Sequence, residues 1–388
     1  MILHRNILSF VSFFLLAFNL RPAITAIGPL VGNIQITTGL SSTAVGLLNS
    51  LPLLAFAAFA SLADLGRRFG LERMLAFAMA TLFVGILLRS AGPVWTLFAG
   101  TLVLAAGIAI GNVLAPAIIK RDYSEHVGML TTVYALVLAL TASLGSGLAV
   151  PLERSLSGGW RASLAVWAIP AAAATLLWAR SLLRAPHSAS FPEIAPSASV
   201  WRSPLAWCVT AFMGFQSLGF YVVVAWLPSV IRDSGYDEAT AGLLITGFQL
   251  VSLVAGLAFP RLLAFRPDQS ALAIGSALVM TAGILGFLLY PAGTILWTVL
   301  TGISAGLSFP LAIALISLRT ADHHQATSLS LMSQSMGYLL AASGPLLFGM
   351  AHDLSGGWML PLAGLAACSI LQAVAGFFAG QSRVIATA

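Results

Sequence analysis

The chain has 388 residues, of which 59% are apolar and 8% are charged. A soluble domain carries about 25% charged residues, so this chain has too few charges to cover a surface that faces water. Its net charge of +6 does not indicate a nucleic-acid-binding protein, because the basic residues are spread over short loops and do not cluster on one polar domain.

Apolar stretches of about 20 residues recur along the whole chain, and each is long enough to cross roughly 30 Å of hydrocarbon as a helix. A β-barrel would need alternating strands of about ten residues, and the continuous apolar runs exclude it. The sequence therefore predicts an all-α polytopic membrane protein with twelve transmembrane helices. These cover residues 7–31, 42–63, 73–91, 94–119, 128–151, 161–180, 204–228, 239–262, 270–290, 294–317, 326–350 and 359–380.

The first predicted helix also has features of a secretory signal peptide. His4 and Arg5 precede the apolar run, and the small residues at 23–26 offer a cleavage site. We favour an uncleaved helix, because its removal would leave an odd number of helices and would break the internal repeat of the chain.

Lys and Arg residues are distributed unevenly over the loops. With the N-terminus in the cytoplasm, thirteen lie in inner loops and tails, whereas only Arg89, Arg154, Arg161 and Arg232 lie in outer loops. The positive-inside rule therefore predicts that both termini are cytoplasmic. The predicted location is a bacterial inner (plasma) membrane.

The two halves of the chain repeat each other at an offset of about 195 residues. The matching pairs are 39–48 with 235–244, 107–111 with 302–306, and 156–160 with 354–358. Because the repeated unit has six helices, both copies share one orientation in the membrane. Parallel six-helix repeats are the plan of major facilitator transporters, in which the substrate site lies between the halves.

This repeat divides the chain into an N-terminal six-helix bundle at 1–186, a cytoplasmic linker at 187–203 and a C-terminal six-helix bundle at 204–388. Cys208 and Cys368 fall inside apolar runs and form no disulfide framework or metal motif. A Gly-rich phosphate loop with Lys is also missing from the sequence. We therefore predict a monomer in the lipid bilayer that takes a small-molecule substrate, without a cofactor, a nucleic acid or a protein partner.

Short motifs with distinctive residues are spread over nearly the whole chain. They read NLRPAITAIGPL at 19–30, GLLNSLPLL at 46–54, GNVLAP at 111–116, KRD at 120–122, AWLP at 225–228 and QSMGYL at 334–339. They resemble the cyanate and 2-nitroimidazole transporter family of the major facilitator superfamily, and WRSPLAW at 201–207 is closer to the 2-nitroimidazole branch. The resemblance implies transport of a small polar molecule without identifying it.

The loop after the second helix resembles the signature loop of the superfamily, and it contains Asp64, Arg67, Arg68 and Arg73. Three residues separate Asp64 from Arg68, whereas the usual pattern has none. The resemblance implies an inner-side latch of charge pairs that holds one conformation. The alternative is that these charges only set the topology.

Arg21 is the one basic residue predicted to lie deep in the membrane, about 20 Å from the start of the first helix. An ionised residue at such depth costs at least about 2.5 kcal/mol, so it is a candidate functional residue. We predict that Arg21 faces a central cavity and binds a planar electron-rich group such as a nitro group, a cyanate or a carboxylate. The alternative is pairing with backbone carbonyls near a helix break at Pro22.

Other polar and aromatic residues are predicted at similar depth, between helices 1, 4, 7, 8 and 11. The predicted substrate contacts are Asn19, Asn112, Gln216, Gln249 and Gln334, with Tyr134, Tyr221 and Tyr338 as aromatic partners. The alternative for each amide is a hydrogen bond between helices, and for each ring it is packing. Trp160 and Trp226 are interpreted as interfacial anchors.

No Asp, Glu or His is predicted at depth, so we do not expect proton antiport through a buried carboxylate. Uniport, exchange, and symport in which the substrate carries the proton remain open. A membrane-embedded enzyme would need a nucleophile with its base, or a metal site, at depth. The prediction is therefore a transporter that works by alternating access, and the alternative is a broad multidrug exporter.

Overall fold

Twelve membrane-spanning helices, α1 to α12, follow one another in the computed structural model, which describes residues 2–59, 70–181, 198–264 and 268–385. The described residues contain no β-strand. The helices are α1 at Ile2–Thr38 with interruptions, α2 at Ser42–Phe59, α3 at Leu71–Ser90, α4 at Val94–Asp122, α5 at Val127–Ser155, α6 at Gly159–Ser181 with one interruption, α7 at Pro204–Asp233, α8 at Glu238–Ala264, α9 at Ser270–Leu289, α10 at Thr294–Leu318, α11 at His323–Ser355 and α12 at Met359–Gly380. The all-α fold is confirmed, and ten helices among the described residues are long and apolar enough to cross a membrane.

Helix α1 is broken near the middle of its length. Its first segment ends at Asn19, and a short segment Pro22–Thr25 follows. Arg21 occupies the N-cap position of this short segment. Pro22 lies in its first turn, where a backbone N–H would have no partner within the helix, so proline is tolerated. The predicted break at Pro22 is therefore present, and it separates Arg21 from the regular helix before it.

Successive helices run in opposite directions, so both chain termini lie on one face of the bundle, here called the terminal face. The N–H of Ile385 donates to the carbonyl of Arg319 at 2.9 Å on this face. The Arg319 side chain is buried and donates to the carbonyls of Ala379 and Gly380 at 2.7 and 2.8 Å. These bonds satisfy carbonyls at the end of α12, which would otherwise lack partners. The other end of the bundle is called the opposite face.

The internal repeat of the sequence is matched by a pair of equivalent contacts in the structure. The indole nitrogen of Trp160, at the start of α6, donates to the Thr37 hydroxyl near the end of α1 at 2.8 Å. The indole nitrogen of Trp358 donates to the Asp233 carboxylate at the end of α7 at 2.9 Å. Each half therefore ties its sixth helix to its first in the same way.

Among the described residues, the two halves meet mainly where α2 packs on α11, α5 on α8, and α1 on α7. Trp226 of α7 is 1% exposed and donates to the carbonyl of Pro345 in α11 at 3.0 Å. Trp160 is also buried. Their interpretation as interfacial anchors was therefore wrong, because both indoles hold protein helices together.

The division of the chain at 187–203 stays a prediction, and residues 187–197 lie outside the described residues.

Candidate functional site

A cavity of about 460 Å³ lies between the two halves. Its walls come from α1, α5, α7, α8, α10 and α11, so α5 and α10 contribute where the sequence predicted α4. The cavity reaches Thr131 in α5 and Pro260 in α8, each within about 7 Å of the terminal-face end of its helix. The cavity therefore extends from the middle of the membrane toward the terminal face.

Arg21 lines this cavity at its deep end. Its Nη1 donates to the Tyr221 hydroxyl at 3.0 Å, which joins α1 of the first half to α7 of the second. The hydroxyls of Tyr134 and Tyr338 also lie close enough to interact electrostatically with the guanidinium. A cation surrounded by neutral hydroxyls, and by no carboxylate among its described partners, keeps its capacity to bind an electron-rich ligand.

The short α1 segment that carries Arg21 is held by α5. The Thr25 hydroxyl donates to the carbonyl of Ala142 at 2.8 Å, and the Ser146 hydroxyl donates to the carbonyl of Thr25 at 3.1 Å. A Cβ atom at Gly145 would lie 2.3 Å from the Thr25 hydroxyl, so a glycine is needed for this approach. The segment is thus fixed against the first half, while Arg21 reaches toward the second.

Five of the predicted contact residues line the cavity, namely Arg21, Gln216, Tyr221, Gln249 and Tyr338. Gln249 of α8 donates from Nε2 to the Ser146 hydroxyl of α5 at 3.0 Å, so it also joins the two halves. Its Oε1 is buried and has no hydrogen-bond partner among the described residues. Gln216 is 4% exposed and donates to the Ser217 hydroxyl at 2.6 Å.

The other four predicted contact residues are not among those that line the cavity. Tyr134 donates to Oδ1 of Asn112 at 3.2 Å. Asn19 donates to the carbonyls of Leu15 and Pro170 at 2.7 and 3.1 Å, which ties α1 to α6. Gln334 donates to the Ser330 hydroxyl within α11 at 3.0 Å. Hydrogen bonds between or within helices thus occupy these side chains, and their contact with substrate stays a prediction.

The predicted inner latch falls largely outside the described residues, because Asp64, Arg67 and Arg68 lie there. Arg73 is exposed in the first turn of α3. Beside it, Glu72 pairs with Arg121 at the end of α4 at 2.6 Å. The terminal face of the first half is therefore braced by an ion pair between α3 and α4.

Sequence reasoning missed Arg89, which it placed in an outer loop. Arg89 lies in the last turn of α3 and is 0% exposed, and its Nη1 donates to the carbonyl of Ala23 in the broken part of α1 at 2.5 Å. A basic residue at a helix end normally extends into water, so nothing in the sequence marked this one as buried. Arg89 is therefore a buried basic side chain at a helix end, which the sequence did not reveal.

The opposite face is closed by backbone contact between the halves. A Cβ atom at Gly28 of α1 would lie 2.2 Å from the carbonyl oxygen of Val224 in α7, and one at Gly46 of α2 would lie 2.4 Å from that of Pro345 in α11. Real Cβ atoms do not approach oxygen so closely. The two halves can close here only because both positions are glycine.

Polar contacts reinforce the closure of the opposite face. The Asp353 carboxylate of α11 accepts hydrogen bonds from the N–H groups of Ser42 and Thr43, the first residues of α2, at 3.0 and 2.7 Å. The Asn33 amide of α1 donates to the carboxylates of Glu153 in α5 and Glu238 in α8 at 2.8 and 3.2 Å. The contacts of Asp353 and Glu238 join the first half to the second, and the contact of Glu153 joins α1 to α5 within the first half.

The chain is similar over most of its length to known transport proteins. Residues 10–345 match the family model described as Major Facilitator Superfamily. The 2-nitroimidazole transporter of Escherichia coli (strain K12) is 41% identical over 374 residues, which cover 96% of this chain and 95% of that protein. A cyanate transport protein of the same organism is 26% identical over 359 residues, which cover 92% and 93% of the two chains.

The fold has the same arrangement as solved transporters. The crystal structure of a D-xylose–proton symporter aligns with a TM-score of 0.77 and 16% identity, covering 99% of this chain and 98% of that one. At this low identity the likeness concerns the fold alone. The sequence identities also confirm the resemblance to the cyanate and 2-nitroimidazole transporters, with the 2-nitroimidazole branch closer.

Proposed function

This chain belongs to the major facilitator superfamily and is a transmembrane transporter, and on that premise we propose that it carries a small planar molecule with an electron-rich group. The substrate class is that of 2-nitroimidazole or cyanate, which are the molecules in the names of its relatives. The observation that carries this proposal is Arg21, a guanidinium at the deep end of a cavity between the halves, which among the described residues donates to the Tyr221 hydroxyl across them.

The chemistry of the cavity suits such a substrate. The planar fork of a guanidinium can donate two parallel hydrogen bonds to a nitro group, a cyanate or a carboxylate. The aromatic side chains of Tyr221, Tyr338 and Phe220 stand beside it in the cavity wall. Aromatic faces and a cation together favour a flat, polarised ligand over a bulky aliphatic one.

A multidrug exporter is the second candidate. Between Arg21 and the terminal face the cavity wall includes four large apolar side chains, Leu136, Leu253, Leu257 and Phe309. Such a wall would also accept larger apolar molecules. Arg21 favours the first candidate, because a drug site without anionic ligands gains nothing from a buried cation.

We place the terminal face in the cytoplasm and the opposite face outside. The excess of Lys and Arg in the loops of the terminal face supports this orientation. The cavity of this structure then extends toward the cytoplasm while the outer side is closed. We further propose a bacterial inner membrane as the location and a monomer as the working form.

Transport then proceeds by alternating access, in which the halves rock about the fixed site. The outer contacts at Gly28, Gly46 and Asp353 must separate before substrate can enter from outside. Among the described residues, those that line the cavity include no Asp, Glu or His, so the proposal includes no proton antiport through a carboxylate at the site. Uniport, exchange and symport with a protonated substrate are the modes that this leaves.

The proposed function is tested by counterflow uptake of labelled 2-nitroimidazole into proteoliposomes. We expect saturable uptake that unlabelled 2-nitroimidazole suppresses strongly, cyanate suppresses at higher concentration, and imidazole, which lacks the nitro group, suppresses least. Transport of large apolar drugs, with no uptake of 2-nitroimidazole or cyanate, would instead support the exporter.

A separate prediction concerns the outer closure. Replacing Asp353 by alanine removes a charged cap from the first turn of α2, whose N–H groups have no helical partners. Loss of these bonds is worth about 2 kcal/mol, so we expect the ratio of outer-open to outer-closed molecules to rise about 30-fold. Spin labels at Ile36 and Leu354, which are 81% and 76% exposed, should then report longer distances.

The measurement needs Cys208 and Cys368 replaced by alanine, so that only the two reporter positions carry labels. Asp322→Ala is the matched control, because Asp322 accepts from the N–H of Gln325 at 2.8 Å within its own helix α11. Loss of the Asp322 carboxylate weakens the cap at the start of α11 but breaks no contact between the halves. An unchanged distance distribution in Asp353→Ala would show that this cap does not hold the outer side closed.

A further inference from the structure

Arg89 is buried in the first half without a carboxylate partner among the described residues. Its Nη1 donates to the carbonyl of Ala23 at 2.5 Å, and its Nε and Nη2 have no hydrogen-bond partner in the part of the chain that the structure describes. Burying a guanidinium so incompletely bonded is costly. A methionine of similar length would fill the same space at a lower cost in desolvation free energy. Packing therefore does not explain why this position is an arginine.

The carbonyl that Arg89 bonds lies two residues after Arg21. In a continuous helix the Ala23 carbonyl would accept from the N–H of Ile27, but here that N–H turns to the carbonyl of Ile24 at 3.4 Å. The break in α1 thus frees a buried carbonyl, which needs another donor. Arg89 supplies the donor from α3.

The short segment Pro22–Thr25 is therefore held from two sides. On one side the Thr25 hydroxyl and the Ser146 hydroxyl bind it to α5. On the other side Arg89 binds it to α3. Because Arg21 directly precedes this segment and caps it, the orientation of the segment decides where the guanidinium of Arg21 points.

We propose that Arg89 is a positioning residue, which fixes the broken segment of α1 so that Arg21 meets the electron-rich group of the substrate. Arg89 itself does not line the cavity. Its effect on transport passes through the Ala23 carbonyl and the direction of Arg21. This inference rests on the proposal that Arg21 binds the substrate.

The test compares affinities for 2-nitroimidazole and imidazole, measured by competition for counterflow uptake, in the wild type, Arg89→Met and Arg21→Ala. Removing one charged hydrogen bond is worth about a tenfold change in affinity. We expect Arg89→Met to reduce the preference for 2-nitroimidazole over imidazole about tenfold and to leave the affinity for imidazole unchanged. Arg21→Ala should reduce the same preference further.

Arg319→Met is the matched control, since Arg319 is also buried and bonded to backbone carbonyls but lies at the terminal face, away from the cavity. We expect it to lower the thermal midpoint and to leave the preference unchanged. Arg89→Lys keeps the charge with a single compact donor, so a smaller loss of preference is expected. It also serves as the test if Arg89→Met does not fold.

An unchanged preference in the folded Arg89 variants would overturn the positioning role. Equal loss of affinity for both ligands would do the same, because it would mark a general structural role. If Arg21→Ala leaves the preference unchanged, the proposed substrate contact fails, independently of Arg89. If Arg21→Ala loses the preference and Arg89→Met does not, only the inference about Arg89 fails.

Discussion

Replacing Arg21 by alanine is expected to raise the KM for counterflow of 2-nitroimidazole about a hundredfold. The guanidinium can donate two charge-assisted hydrogen bonds to a nitro group, each worth about 1.5 kcal/mol or more. Together they contribute about 3 kcal/mol, and each 1.4 kcal/mol is about a tenfold change in affinity. The measurement is the concentration dependence of uptake into proteoliposomes, with equal amounts of reconstituted protein.

Two further variants sharpen this prediction. Arg21→Lys keeps the charge but loses the planar fork, so we expect an intermediate KM. Arg202→Ala is the matched control, because Arg202 is exposed on the terminal face. This substitution also removes one positive charge, but it does not change the cavity. A wild-type KM in Arg21→Ala, with Arg202→Ala also normal, would reduce Arg21 to a structural residue that binds Tyr221.

Replacing Gly46 by valine is expected to abolish transport while the protein still binds 2-nitroimidazole. A Cβ atom at this position would lie 2.4 Å from the carbonyl oxygen of Pro345 and 2.9 Å from the Cα of Leu346, both backbone atoms of α11. The Pro345 carbonyl cannot turn away freely, because it accepts the indole N–H of Trp226 at 3.0 Å. The halves could then no longer close at the opposite face.

A molecule that cannot close this face cannot complete the transport cycle. We expect counterflow to fall to the level of empty liposomes, while equilibrium binding in detergent changes by less than about tenfold. Spin labels at Ile36 and Leu354 should report the longer distance as the main population. The same pair of spin labels therefore measures the separation of the halves at the opposite face in both Gly46→Val and Asp353→Ala.

Gly364→Val is the matched control for Gly46→Val. Gly364 lies in α12 on an exposed surface, and a Cβ atom there has no neighbour within 4 Å. The same substitution should therefore leave transport intact. Gly46→Ala already brings the Cβ atom against Pro345, so a partial loss of transport is expected. Normal transport by Gly46→Val would show that the opposite face closes through other contacts.

The fold could be predicted almost entirely from local sequence. The predicted span at 359–380 coincides with α12, and the predicted span at 270–290 differs from α9 by one residue. Apolar length alone decides such spans, because a segment in hydrocarbon must satisfy its own backbone hydrogen bonds. A break in α1 at Pro22 was part of one alternative drawn from the sequence, because proline lacks the backbone N–H of a regular helix. Pro260 and Pro345, by contrast, lie within α8 and α11.

The candidate site could be predicted only in part. Arg21 was identified because a charge at depth is rare, Gln249 because an amide in a span needs partners, and Tyr338 because an aromatic ring can pack on a planar ligand. Asn19 belongs to the same class of residue, yet its amide is bonded to the carbonyl of Pro170 in α6. Residue type and depth do not tell which side of a helix faces the cavity, since that depends on how α1 is rotated against its neighbours.

The sequence by itself determined the class of protein, the number of spans and the duplication of six helices, because these depend on apolar length and on matches along the chain. Only the tertiary structure decided which contacts hold the helices of one half together and which join the two halves. Arg89 bonds Ala23, 66 positions away, and Asp353 caps a helix that begins 311 positions before it. Such contacts depend on how α3 packs on α1 and α11 on α2, and no local pattern specifies that packing.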